Sequence, residues 1–398
     1  MHRGMERNVR LYYRFRFAQN MLIIGPVLVP YMLFKGLSYA EILTLQSLSA
    51  VAVVLFEVPT GVVADRLSRK LSLVLSSILM GVGLAMYIVF EGFLLFAMAE
   101  LLFGLGMTFS SGADSAMLYE SLERLGRKSE YSTIEAKVMA NIYVGQAVGS
   151  IASSLLYTVC PYIPLWISVG MLLLSSLISG MFTEPEGKAK SNRSYFAHVI
   201  KCFGNTFSVP RIRWAIYYAA LMGVMLRASF WLYEPYFRVI RLDIALFGIV
   251  FAFFNLVSAF SSRYLVKVVK DQRPRKVLTG LGFMMAGAYF LPLLSLGYWA
   301  IALLALGQVV RGMYMPVMRF YINNQIEDEF RATVLSIVSL SASLSFAVFS
   351  PLIGLGLDRG GAVPVYFTMG VATVAGSVLL WQIRRFQKYK RLRGYPVR

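Results

Sequence analysis

Apolar residues run through this chain in long stretches, interrupted by short polar segments. Twelve stretches stand out, centred within 11–34, 41–64, 72–92, 94–119, 133–157, 162–183, 212–234, 243–266, 276–295, 298–321, 332–357 and 364–384. About 20 apolar residues cross a hydrocarbon core about 30 Å thick, so the pattern predicts an all-α membrane protein with twelve transmembrane helices. The segment GVVADRLSRK (61–70) lies between the second and third stretches. A reduced copy follows, in which Asp65, Arg69 and Lys70 recur as Asp271, Arg275 and Lys276, each 206 residues later. Tyr12, Tyr13, Pro30 and Tyr31 likewise match Tyr217, Tyr218, Pro235 and Tyr236 at an offset of 205, and Gly81 and Gly106 match Gly287 and Gly312 at 206. A shared offset across several spans predicts two six-helix bundles in parallel orientation, an arrangement found in secondary transporters.

The polar stretch EPEGKAKSNRS, starting at Glu184, cannot continue a membrane helix. It divides the chain into a first bundle (1–183), a linker (184–211), a second bundle (212–384) and a basic tail (385–398). Within the linker, Tyr195, Phe196, Val199, Ile200, Phe203 and Phe207 recur at helical spacing. They predict an amphipathic helix lying on the membrane surface. Ser38 and Asp243 occupy matching positions and suit the N-caps of the second and eighth spans.

Composition agrees with a bilayer environment: 58% of residues are hydrophobic and 15% charged, with mean hydropathy +0.64. The net charge of +19 would suggest a nucleic-acid partner in a soluble protein, but 33 of the 39 Lys and Arg residues fall on one side of the expected topology. That is the positive-inside pattern, with both termini cytoplasmic in the plasma (inner) membrane and the lipid bilayer, not nucleic acid, as the partner. A monomer is expected. Nothing at the N-terminus looks like a removable signal peptide. Cys160 and Cys202 fall on opposite faces and predict no disulfide. The two histidines, His2 and His198, lie outside the spans, so neither a metal cluster nor a catalytic triad is expected in the membrane. With no phosphate-binding GxxxxGK[ST] loop, the expected driving force is a proton or other ion gradient, with no cofactor and no catalytic residue.

Twelve spans, the six-plus-six repeat and the loop after the second span together make the chain resemble the major facilitator superfamily. Gly61, Asp65, Arg66, Arg69 and Lys70 fit the family's loop motif of Gly, three residues, Asp-Arg, two residues and Arg-Lys. The strings EVPTGVVAD, SGADSAMLYES and RATVLS look like a bacterial subgroup within it. Two departures separate the chain from the usual drug antiporters. Glu100 stands where an Arg precedes Gly104 by four residues, and the fifth span offers Gly145 and Gly149 in place of a Gly-Pro signature. The resemblance implies a transporter, not an enzyme, that works by alternating access around a site between the first, fourth, seventh and tenth spans. Proton-coupled efflux of a small organic solute leads. Proton-coupled or facilitative uptake of a metabolite is the alternative, followed by a non-transporting receptor or scaffold.

Intramembrane charges cost about 2.5–3.5 kcal/mol each on insertion scales, so they mark pathways or pairs. On the fourth span Glu100, Gly104, Met107, Ser111 and Asp114 recur at helical steps, with Glu100 and Asp114 about 21 Å apart on a continuous helix. Asp114 is expected to pair with a loop cation such as Arg69 and latch the gate, with proton carriage as the alternative. Glu100 is expected to find a partner on the first or seventh span, or to bind a proton or cationic substrate. Glu57, one turn before Gly61, suits pairing or proton coupling. Arg227, Trp231 and Glu234 share a face of the seventh span, so Arg227 is either neutralised internally by Glu234 or faces substrate. On the tenth span, Gln308, Arg311, Met315 and Arg319 share another, and Arg311 is the leading candidate for holding an anionic group or an acid across the cavity. Neutralising Glu100 or Arg311 is expected to harm transport more than folding. Arg16 and Asn20 lie one turn apart on the first span, and Tyr314 falls on a helix that lines the family's cavity. Ser336, Ser339, Ser343 and Ser350 suit helix packing. Because Lys267 replaces Gly61 in the second copy of the loop, the two loops are not expected to gate equally.

Overall fold

The computed structural model describes residues 2–66, 68–185, 209–265, 272–294, 296–324 and 328–392, and among these every regular element is helical. Twelve spans are long and apolar enough to cross a membrane: His2–Phe34, Tyr39–Glu57, Arg69–Val89, Phe93–Arg124, Lys128–Val159, Ile163–Gly180, Pro210–Val239, Ile244–Leu265, Pro274–Leu294, Ala300–Asn323, Val334–Gly360 and Ala362–Gln382. They coincide with the twelve apolar stretches. The amphipathic segment from Tyr195 to Phe207 and Cys202 lie outside the described residues.

Two spans are interrupted for identifiable reasons. The first comprises His2–Asn20 and Leu28–Phe34, joined through a 3-10 turn at Gly25–Val27. Pro26, which lacks a backbone N–H, falls in that turn. The fourth comprises Phe93–Ser110 and Ala113–Arg124. Between them Gly112 adopts φ +80°, a left-handed conformation that glycine takes at no steric cost. The break resets the helical phase, so Asp114 does not continue the stripe that carries Glu100.

The expected caps are present. Ser38 Oγ accepts from the Glu41 N–H at 3.2 Å while the Glu41 carboxylate accepts from the Ser38 N–H at 2.8 Å. These reciprocal bonds form a capping box at the start of the second span. Asp243 accepts from the Ala245 N–H at 2.8 Å.

The chain divides into two compact units, Met1–Arg193 with Asp243–Phe253, and Ser194–Leu242 with Phe254–Arg398. In the first unit span 3 packs against spans 4 and 6, and span 1 against 5 and 6. The second repeats these pairings, with span 9 against 10 and 12, and span 7 against 11 and 12. Buried hydrogen bonds repeat as well. Tyr31 donates to the Tyr87 carbonyl at 2.8 Å, and Tyr236 donates to the Pro292 carbonyl at 2.7 Å. Donor and acceptor are both displaced by 205 residues, so the offset seen in the sequence marks a duplicated contact. Gly106 and Gly312, also repeat-related, let their helices approach the backbones of Ser76 and Ser258 so closely that a Cβ would collide.

Candidate functional site

One polar cluster of the first unit joins spans 1, 4 and 5. Arg16 forms an ion pair with Asp114, their side chains 19% and 12% exposed. Asp114 also accepts from the Ser115 N–H at 2.6 Å. One turn before Arg16, Tyr12 donates to Glu135 of span 5 at 2.6 Å. One turn after it, Asn20 donates to the Arg16 carbonyl at 2.8 Å. Gln146 of span 5 donates to the Asn20 carbonyl at 3.3 Å.

Asp114 therefore does not pair with Arg69 as expected. Arg69 pairs instead with Glu120. The break at Gly112 explains the exchange: Asp114, in the first turn of the new helix, is turned toward span 1, while Glu120, further along, reaches the start of span 3. The side chains of Asp65 and Arg66 lie outside the described residues, as does Asp271. Gly61 has open space beside it. In the repeat, Arg275 lies 4.4 Å from the centre of the Trp214 ring.

Glu184, read from sequence only as the start of a linker, is tied to the motif. Its carboxylate accepts from the Ser68 hydroxyl at 2.7 Å and from the backbone N–H groups of Arg69 at 2.9 Å and Lys70 at 3.0 Å. It thereby satisfies donors that the first turn of a helix leaves open and places negative charge at the positive end of the helix dipole. Asn8 holds the preceding residue by exchanging two bonds with the Thr183 backbone at 2.8 and 2.9 Å. Glu184→Ala is expected to destabilise the protein by about 1 kcal/mol, as loss of a helix cap does, which thermal melting can measure. An unchanged melting curve would contradict the role.

Glu100 is 6% exposed and lies deep in the first unit. Gln46 donates to its Oε1 at 2.8 Å and Tyr87 at 2.7 Å, with Ser49 contributing a further hydrogen bond. These partners come from spans 2 and 3, not from the first or seventh. Packing is the reason: Gly104, one turn on, meets Ala52 and the Ser49 carbonyl of span 2, which turns the Glu100 face of the helix inward. Glu57 is exposed and makes no ion pair among the described residues.

In the second unit Glu234 pairs with Arg238, not with Arg227. Arg227 donates to Ser343 at 3.0 Å and lies over the Phe346 ring at 5.7 Å, so this serine does more than pack helices. Arg311 donates to Gln308 at 3.2 Å, and Gln308 donates to Tyr233 at 2.7 Å. Trp231 and Tyr314 are buried, at 8% and 7% exposure, so they back the site more than they face it. Arg227, Arg311, Met315 and Arg319 are exposed.

Sequence reasoning missed Glu120, Glu135 and Glu184. Each sits close to a loop, where an acidic residue carries no signal until the fold supplies its cation or helix end. Among the described residues no group of three His, Cys, Asp or Glu could hold a metal ion.

Similar proteins share the whole architecture. The nucleoside transporter NupG superposes with a TM-score of 0.78 at 14% identity, covering 94% of this chain and 99% of that one. A D-xylose-proton symporter gives a TM-score of 0.70 at 14% identity over 96% of this chain and 98% of its own. At these identities the likeness is one of fold. In sequence, the MFS-type transporter YxaM of Bacillus subtilis (strain 168) is 20% identical over 362 residues, 87% of this chain and 90% of that protein. The sequence model of the Major Facilitator Superfamily matches residues 15–310, and the chain belongs to that superfamily of secondary transporters.

Proposed function

We propose that this protein exports a small organic solute in exchange for protons, by alternating access. The observation that carries the reading is the ion pair between Arg16 and Asp114 inside the membrane-spanning part of the first unit. A carboxylate that is either paired with an arginine or protonated has two states of different charge, and intramembrane acids of this kind serve as proton relays. Protonation of Asp114 releases Arg16, and deprotonation restores the pair. Tyr12, hydrogen-bonded to Glu135 one turn before Arg16, supplies a neighbouring polar group. Asn20, Arg16 and Glu57 in the first unit, and Arg227, Trp231, Arg311 and Tyr314 in the second, are the residues assigned to substrate and coupling. Glu100 is assigned to neither on its burial. Gly61, Asp65, Arg66, Arg69 and Lys70 form the gating motif, supported by the pairing of Arg69 with Glu120.

The distribution of Lys and Arg supports an inner-membrane protein with both termini cytoplasmic. The domain bounds are 1–183, 184–211, 212–384 and 385–398, the working unit is a monomer, and the strings around Glu57 and Asp114 support the bacterial subgroup. The test uses inside-out vesicles that maintain a proton gradient reported by a quenched dye. Phenyl phosphate or benzenesulfonate, which cross bilayers poorly, should restore fluorescence with the wild-type protein and not with Asp114→Asn. Uptake in right-side-out vesicles, with no response in inside-out ones, would instead establish import.

A further inference from the structure

The second unit carries two arginines whose charge no acid compensates among the described residues. Arg227 is bonded to a serine and Arg311 to a glutamine, and neither forms an ion pair among the described residues. Glu234, the nearest acid on the seventh span, is engaged with Arg238. Both arginines are exposed, yet each sits near the middle of its span.

Their depths agree. Arg227 lies 12 residues before the Val239 end of span 7, and Arg311 lies 11 residues after the Ala300 start of span 10. At 1.5 Å per residue these are about 18 and 16 Å from helix ends that share a membrane face, because the two spans run in opposite directions. The bond between Tyr233 and Gln308 fixes the register of the pair. The two arginines therefore lie at matching depth on spans joined by the Tyr233–Gln308 bond, Arg227 bonded to Ser343 and Arg311 to Gln308.

From this we infer that the transported solute is an organic anion, with its carboxylate, phosphate or sulfonate held by Arg227 and Arg311 and its apolar body against the exposed Met315, one turn beyond Arg311. Two unpaired mid-membrane cations are costly, and an anionic headgroup compensates both. Guanidinium groups bind such oxyanions through paired N–H donors. The inference rests on the transport reading and sharpens it by substrate class.

The test compares probes that share a phenyl body and differ in headgroup: phenyl phosphate, benzenesulfonate and benzoate against benzamide and benzylamine. With the purified full-length protein, at least one anion should raise the melting temperature by several degrees at saturating concentration, and the amide and amine should not. The shift should disappear in Arg227→Gln and Arg311→Gln. Arg227→Lys and Arg311→Lys keep the charge but lose the paired geometry, and should weaken the anion about tenfold, equivalent to about 1.4 kcal/mol. They carry the comparison if the Gln variants do not fold. Equal shifts from amide or amine, no shift from any anion, or undiminished anion affinity in the folded variants would overturn the inference. Exchange of benzamide or benzylamine across proteoliposomes would sink the anion assignment and leave transport standing. An anion that binds through both arginines but is not exchanged would leave the site standing and sink transport.

Discussion

Asp114→Asn is expected to reduce pH-driven transport to background while leaving gradient-independent exchange largely intact. Asn keeps the size of the side chain and removes the proton that the carboxylate would carry. The substitution also leaves Arg16 without its anion in a site where the two side chains are 19% and 12% exposed. Breaking a fully buried pair costs about 3–5 kcal/mol; partial exposure lowers that here to about 1–3 kcal/mol. Arg16→Gln should cost a similar amount for the converse reason. The double variant should be more stable than the sum of the single losses implies, because neither charge is then stranded. Strict additivity in melting experiments would mean that the pair makes no net contribution. Full pH-driven transport by Asp114→Asn would remove Asp114 from coupling.

Glu100→Ala is expected to be among the most destabilising single changes in the first unit, and Glu100→Gln much milder. Gln46, Tyr87 and Ser49 direct donors at this carboxyl, and alanine would strand the buried Tyr87 hydroxyl and leave the partly buried Gln46 and Ser49 without this acceptor. Each stranded buried donor costs about 1–3 kcal/mol. Reorganisation recovers part of the sum, so a loss of about 2–4 kcal/mol is expected. Glutamine retains the carbonyl that can accept from Gln46 or Tyr87. The position of Glu100 between spans 2, 3 and 4 thus makes truncation to alanine, not neutralisation to glutamine, the change that costs stability. If Glu100→Gln abolished pH-driven transport without altering melting, the proton site would have to move to Glu100.

The parts of the molecule that were legible in the sequence are those governed by local rules. Span length, the polar linker after Thr183 and the caps at Ser38 and Asp243 follow from hydropathy and helix-end chemistry. The duplicated Pro30-Tyr31 and Pro235-Tyr236 pairs also mark a repeated buried bond. Pairings between spans were less legible. Helical spacing put Asp114 and Glu100 on one stripe, which a single glycine at 112 breaks by resetting the phase. It grouped Glu234 with Arg227, although Arg238, four residues on, offers the closer partner. Which cation an acid meets depends on how helices distant in sequence are rotated. That rotation is set by close approaches such as Gly104 on Ser49, and no one-helix pattern contains it. The clamp of Glu184 on the start of span 3 belongs to the same class, since its partners are more than 100 residues away in sequence.

Access to Asn20 from the two sides of the membrane tests alternating access most directly. In a Cys160→Ser, Cys202→Ser background, Asn20→Cys can be labelled with a membrane-impermeant maleimide in right-side-out and in inside-out vesicles. Alternating access predicts that Asn20→Cys reacts from both sides, with any substrate or pH change that raises reactivity on one side lowering it on the other. Labelling from one side only under every condition, or from both sides at rates that do not trade off, would contradict it.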